Sequence, residues 1–420
     1  MSLFLRSGRT YATVAAIIAC LSAPTGWADA PSDTISELRA QLAALTARLE
    51  ILEAQQQQTQ VDVQANSANV AETKTLSQSA IASSKVSQAK SAESTLKYDA
   101  DFRYRFESFN IEDTPDRHRN RIRARVGVKA TVSDEMLIGF ALASGSDDPI
   151  SSNQTLGNND SSKQVNIDQA YIRFQPAGRH TDLYAGKFKN PLYRAGGNGL
   201  LWDGDLRPEG LAATFSRDAM FVNALASWIN ESKAGDDVLL LGTQLGIKTP
   251  VFESASLVAG VGYYEYTGIQ GSAEYISENP RGNRVTDQGR YLSGFDLLEG
   301  FAELKFPTSF GKATVYADYV KNLGADDYDT GYTLGAKLGV SDWSFGWAYE
   351  NIEADAVYAQ LTDSDFGGGG TDSEGHRFSA SYAISKKIKV GGTLFLNDRN
   401  VDLGAEQDYQ RLMLDLSVKY

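Results

Sequence analysis

Residues 117–132 read RHRNRIRARVGVKATV, and from Arg121 onward the letters alternate. Arg121, Arg123, Arg125 and Lys129 share one parity; Ile122, Ala124, Val126, Val128, Ala130 and Val132 share the other. A period of two is that of a β-strand, whose successive side chains point to opposite faces. The stretch therefore predicts a strand with one cationic and one apolar face, inside a chain whose formal charge is -13.

The same arithmetic holds on both sides of it. In LKYDADFRYRF, Leu96, Tyr98, Ala100, Phe102, Tyr104 and Phe106 alternate with Lys97, Asp99, Asp101, Arg103 and Arg105. In YQRLMLDLSVKY, Leu412, Leu414, Leu416, Val418 and Tyr420 alternate with Arg411, Met413, Asp415, Ser417 and Lys419. Sixteen candidate strands follow, beginning near residues 96, 120, 136, 165, 181, 210, 219, 238, 254, 294, 312, 330, 342, 376, 387 and 409. Short turns such as Ser133 to Glu135 trade places with long polar loops near 107–119, 145–164, 190–209, 230–237, 265–293, 321–329, 350–375 and 397–408.

Apolar rows carrying Trp343, Phe345, Trp347 and Tyr349 in succession have no amphipathic helices in this part of the chain to cover them, which leaves hydrocarbon as their partner. In a bilayer every backbone N–H and C=O must be satisfied within the protein, and β-structure does that only by closing on itself. The fold expected is all-β: a 16-stranded antiparallel transmembrane β-barrel over residues 96–420, preceded by an N-terminal coiled-coil helix. The alternation of the opening stretch then has a reason, because its cations point into a water-filled lumen while its apolar row faces lipid.

The totals agree. Apolar residues make up 42% of 420, and no run of about 20 of them marks a membrane helix. Net acidity argues against a nucleic-acid partner. The single cysteine, Cys20, and three scattered histidines give no metal-ligand spacing, so no cofactor is expected.

Residues 1–28 have cationic Arg6 and Arg9, an apolar stretch and a small-residue end, the layout of a secretory signal peptide cut after Ala28. A lipobox-like IIAC ending at Cys20 is the competing reading. Across 34–56, Ile35, Leu38, Leu42, Leu45, Leu49 and Leu52 recur at spacings of 3 and 4, the seam of a coiled coil. An amphipathic helix packed on its own domain is the alternative. Residues 57–95, rich in Gln, Ser, Ala and Lys, form a polar spacer.

The stretches LASGSDDPISSNQTLGNNDSSKQVNIDQAYI, AGKFKNPLYRAGGNGLLWDGDLRPEGLAATFS, LLEGFAEL and LTDSDFGGGGTDSEGH resemble the Gram-negative family called putative porins, over roughly residues 30–420. The resemblance implies an outer-membrane diffusion channel, without catalysis, assembled as a homotrimer in outer-membrane lipid. One departure is Tyr420 at the end, where many outer-membrane barrels have Phe.

Porins use their third loop as a constriction. That likeness assigns the role to 188–210, whose Leu200, Leu201 and Trp202 supply apolar anchors. It gives an acidic side of Asp203, Asp205 and Glu209, facing a basic side of Arg103, Arg105, Arg121, Arg123 and Arg125, with Lys187 and Lys189. Pairing of the loop acids with the loop's own Arg194 and Arg207 is the competing arrangement.

The solutes expected are small and hydrophilic. An anion-selective or substrate-selective pore is the alternative, opposed by Asp99, Asp101, Asp296, Glu299, Glu303, Asp318 and Asp415 on inward parity. A structural tether acting through the coiled coil is another. DSDFGGGGTDSEGH, 363–376, reads as an exposed flexible loop, only loosely like a calcium loop.

Overall fold

The computed structural model describes residues 96–178, 180–233, 237–252, 254–273 and 279–420. The signal peptide, the leucine seam of Ile35 to Leu52 and the polar spacer lie outside them. Described strands are β1 (Leu96–Ile111), β2 (Thr114–Ser133), β3 (Met136–Ser144), β4 (Gln154–Thr155), β5 (Val165–Phe174), β6 (Thr181–Lys187), β7 (Glu209–Arg217), β8 (Met220–Asn230) and β9 (Val238–Val251). They continue with β10 (Ala255–Tyr266), β11 (Phe295–Pro307), β12 (Lys312–Asn322), β13 (Thr330–Val340), β14 (Trp343–Ile352), β15 (Ser373–Ala383), β16 (Ile388–Arg399) and β17 (Gln407–Lys419).

Apart from the two-residue β4, which pairs with β2 at Arg121 and Ile122, each strand is antiparallel to the next in chain order. The ring is closed by β1, which pairs with β2 on one side and with β17 on the other, Phe102 opposite Val418. The result is a closed barrel of 16 strands with no free edge. No described helix is long and apolar enough to cross a membrane.

Parity decides which side chains see lipid. On β17, Leu414 is 48% exposed and Leu416 42%, while Arg411 and Met413, of the opposite parity, are buried. On β9, Leu241, Leu245 and Ile247 are exposed and Leu240 and Gln244 are buried inward. Trp343, Phe345 and Trp347 stand on the outer face of β14.

Two expectations are corrected. Residues 107–119 are not a long loop: β1 and β2 run on to Ile111 and from Thr114, joined by Glu112 and Asp113, the latter at φ 57°. Their inward faces stay paired there, with Glu107 opposite Arg119 in register, so polarity reflects a solvated strand rather than a loop.

Nor is 363–376 exposed and flexible. Phe366, Gly367, Gly370 and Thr371 are buried, and Ser373–His376 begin β15. The glycine run lets main chain pack on main chain, and at Gly370 (φ 106°) a Cβ would collide with the Arg281 carbonyl. Among the described residues no cluster suited to a metal ion is found.

Two long loops enter the barrel and line one wall. The β6–β7 loop (188–208) and the β14–β15 loop (353–372) contribute Phe188, Leu200, Trp202, Tyr358 and Phe366 to an apolar core inside the barrel, with Tyr264, Tyr266 and Phe295 of the strands. The Trp202 ring meets Tyr264 edge-on at 4.6 Å. Asn283, from the β10–β11 loop, ties the second insert by donating to Ala354 O at 2.8 Å and Val357 O at 2.9 Å.

Candidate pore constriction

A loop stays in a lumen only if its backbone polar groups find partners on the wall. The β6–β7 loop meets that demand on β9 and β11–β13. Tyr193 N donates to Gln244 Oε1 at 2.7 Å, Gly196 N to Glu303 Oε2 at 2.6 Å, and Asn198 Nδ2 to Asp318 Oδ2 at 2.7 Å. Lys337 Nζ returns to Gly196 O at 2.5 Å. Gly196 sits at φ 62° and a Cβ there would collide with the Tyr316 ring, so this tip requires glycine.

The two inserted loops hold one another. Asp203 N donates to Leu361 O at 2.8 Å, Asp363 N to Gly199 O at 3.1 Å, and Ser364 N to Asp203 Oδ2 at 3.0 Å.

The arginine row stands on the opposite wall, on β1 and β2, and is joined by Arg411 of β17. Asp205 reaches it from the loop, its Oδ1 3.1 Å from Arg125 NH1 and 3.6 Å from Arg123 NH1. Asp365 reaches it from the second loop, 3.2 Å from Arg105 and 2.9 Å from Arg411.

Wall acids share the same cations. Asp101 accepts from Arg125 Nε at 2.7 Å and Arg123 NH2 at 3.2 Å; Asp415 accepts from Arg105 Nε at 2.7 Å. Glu107, fully buried, lies among Arg105, Arg119, Arg121 and Arg411, the last at 2.6 Å.

The loop carboxyls are held in unlike states. Burial and the neighbouring Asp363 push Asp203 up to about 8, and two backbone N–H donors oppose the shift without cancelling it. Asp205 goes down: Arg123 and Arg125 outweigh its burial. Asp365 is pulled well below the usual carboxylate range by Arg411 and Arg105, again against burial.

Glu209, at the start of β7, does not face the arginine row; it accepts from its cross-strand neighbour Lys187 at 2.6 Å. Lys189 is partly shielded in the loop, where burial and then Arg207 lower its pKa. The loop's own arginines do not take its acids. Arg207 pairs with Asp168 of β5 at 3.2 Å, and Arg194 donates to Asn198 O and Trp202 O.

Sequence reasoning missed Glu107, Arg119 and Asp365. The first two were hidden in a presumed loop, and Asp365 in a glycine-rich one. The continued alternation from Glu107 to Phe109 and from Arg117 to Arg119 was the available signal.

Opposed charges across a narrow aqueous gap order water and sort solutes by charge and dipole. The sequence profile of the family described as "Putative porin" matches residues 54–292 and 302–420. The chain belongs to the putative porin family. It is an outer-membrane porin channel.

Solved structures of similar fold include Pseudomonas putida OprB, at 12% identity and a TM-score of 0.54, covering 77% of this chain and 94% of that one. Salmonella typhi OmpF, solved in complex with daunomycin, is similar at 10% identity and a TM-score of 0.51, covering 78% of this porin and 98% of its own chain. At those identities the likeness is one of fold. No curated protein sequence matches this porin.

Proposed function

We propose that this porin passes small hydrophilic solutes by passive diffusion, without catalysis or cofactor, and that it works as a homotrimer delivered to the outer membrane after removal of its signal peptide. The observation that carries the diffusion reading is the pairing of Asp205 and Asp365, on two inserted loops, with the arginines of β1, β2 and β17. Such an arrangement leaves a charged aqueous slit that suits the passage of small polar solutes. The homotrimer rests on the family, and the leader on the Arg6 to Ala28 pattern.

The test is reconstitution of the purified chain in planar bilayers and in liposomes loaded with an impermeant polymer. Stepwise conductance in potassium chloride, together with swelling in small sugars and none in large ones, is the expected result. A chain that inserts and yields neither refutes the reading. Deleting residues 34–95 separates the channel from a tether: conductance is expected to persist, whatever the deletion does to assembly.

A further inference from the structure

Two of the cavities along the lumen adjoin one another. One, of about 210 Å³, is framed by the inserted loops and lined by Arg194, Asp203, Asp205, Asp363 and Asp365. The other, of about 350 Å³, lies toward the short-turn end and is lined by Ser379, Lys389, Thr393, Ser417 and Lys419. Arg103 and Arg123 line both, so they stand where one cavity gives way to the other.

These two residues are cross-strand partners on β1 and β2. Like charges directly opposite one another destabilise a sheet unless something negative lies between or beside them. Arg123 has Asp101 and Asp205. Arg103 donates to Asn153 Oδ1 at 2.6 Å and forms no ion pair among the described residues.

The neighbouring acids are already engaged: Asp101 and Asp205 by Arg123 and Arg125, Asp365 by Arg105 and Arg411, Asp415 by Arg105, Asp363 by Arg377, and Asp203 by the backbone N–H groups of Asp205 and Ser364. Among the described residues Arg194 donates to the carbonyl oxygens of Asn198 and Trp202. The Nε atoms of Arg103, Arg121 and Arg123 are buried with no partner among the described residues. Arg103 thus keeps cationic donors that no carboxylate among the described residues meets, in the fork geometry that matches an oxyanion.

We propose that the Arg103–Arg123 junction is an oxyanion-binding step, at which small carboxylate or phosphate solutes exchange between the two cavities, and that it makes this porin prefer anions. The inference rests on the diffusion-channel reading and names its solute class. Beyond the junction, the hydroxyls of Ser379, Thr393 and Ser417 and the ammonium groups of Lys389 and Lys419 continue a path suited to the same solutes.

The test uses the full chain in planar bilayers. Reversal potential in a potassium chloride gradient reports the anion-to-cation ratio. Chloride current titrated with inorganic phosphate and, separately, with acetate reports binding. The wild type is expected to prefer anions and to show saturable block by one or both.

Arg103→Gln should lower the ratio by about threefold or more and raise the half-blocking concentration in proportion, as loss of a unit charge in a narrow lumen requires. Arg217→Gln, at an exposed short turn, should change neither. Should Arg103→Gln fail to fold, Arg103→Lys keeps the charge and removes the fork, so selectivity should stay while block weakens.

A wild type that prefers cations, or an Arg103 variant identical to it in both readouts, overturns the oxyanion step and leaves the channel standing. A wild type that inserts but does not conduct removes the channel reading and this inference together.

Discussion

Lys337 of β13 donates its Nζ to the carbonyl oxygen of Gly196, so a cation rooted in the barrel wall pins the tip of the inserted β6–β7 loop. From the other side, Glu303 accepts from Gly196 N. One residue of the loop is therefore gripped through both its peptide groups by side chains of opposite charge.

Lys337→Met should loosen that tip. A charge-assisted hydrogen bond contributes about 1.5–3 kcal/mol, and its loss here leaves the Gly196 carbonyl without its cationic donor. Open-channel current noise is expected to rise while the mean conductance changes little; noise equal to that of the wild type would show that the loop is held elsewhere.

Trp202→Ala should be costlier. The ring is buried against Tyr264, and its Nε1 donates to Tyr266 at 3.3 Å. Truncating a buried aromatic of this size costs about 3–5 kcal/mol, read as a lower temperature for the heat-dependent shift of the folded barrel on gels.

Glu107→Gln removes the one carboxylate that touches Arg105, Arg119, Arg121 and Arg411 together. Breaking a buried pair by deleting one partner costs about 3–5 kcal/mol because the remaining charge is stranded. Unfolding in detergent should move to lower denaturant, and adding Arg119→Gln should recover part of the loss.

Asp203 gives a pH dependence with a defined sign. Its folded pKa, up at about 8, lies above the ordinary carboxyl value of 3.8, so the folded state holds the proton more tightly. Its contribution is fully present below the ordinary value and is lost as pH rises toward 8. Thermal midpoints should therefore fall across that window, and Asp203→Asn should flatten this part of the slope. Asp205 and Asp365, both shifted down by arginines, act oppositely and below the ordinary value, in the acid range.

Asp205→Asn should raise the anion-to-cation permeability ratio by about two- to threefold, because Arg123 and Arg125 lose a shared counter-charge. The reversal potential in a salt gradient checks it, and a shift toward cations would contradict the charge map.

Much of this barrel was legible because strand parity is a local property. The starts at 96, 136, 165, 181, 238, 312 and 330 coincide with observed strand starts, and Trp343, Leu414 and Leu416 face outward as their parity required. The Phe188 to Gly210 stretch carried in Leu200, Leu201 and Trp202 the apolar anchors that are buried in the core inside the barrel.

What was not legible depends on meetings between distant segments. DSDFGGGG gives no sign that Asp365 meets Arg411, because burial of the glycine run is decided by Arg281 and Gly282, far away in the chain. The β1–β2 hairpin was misread for a different reason: its outer end is polar on both faces, and the alternation that continues through Glu107 to Phe109 and Arg117 to Arg119 is easily taken for a polar loop.

The pairing of β1 with β17, from Asp101 opposite Lys419 to Ile111 opposite Tyr409, has a consequence for biogenesis. Strand β1 waits for β17, so the seam cannot zip until Gln407–Lys419 has been made and exported. A product that ends before Gln407 would carry two unsatisfied rows of peptide groups, on β1 and β16, which acyl chains cannot solvate. Truncation should thus yield not a narrower pore but no inserted protein at all, a built-in proofreading of chain completeness.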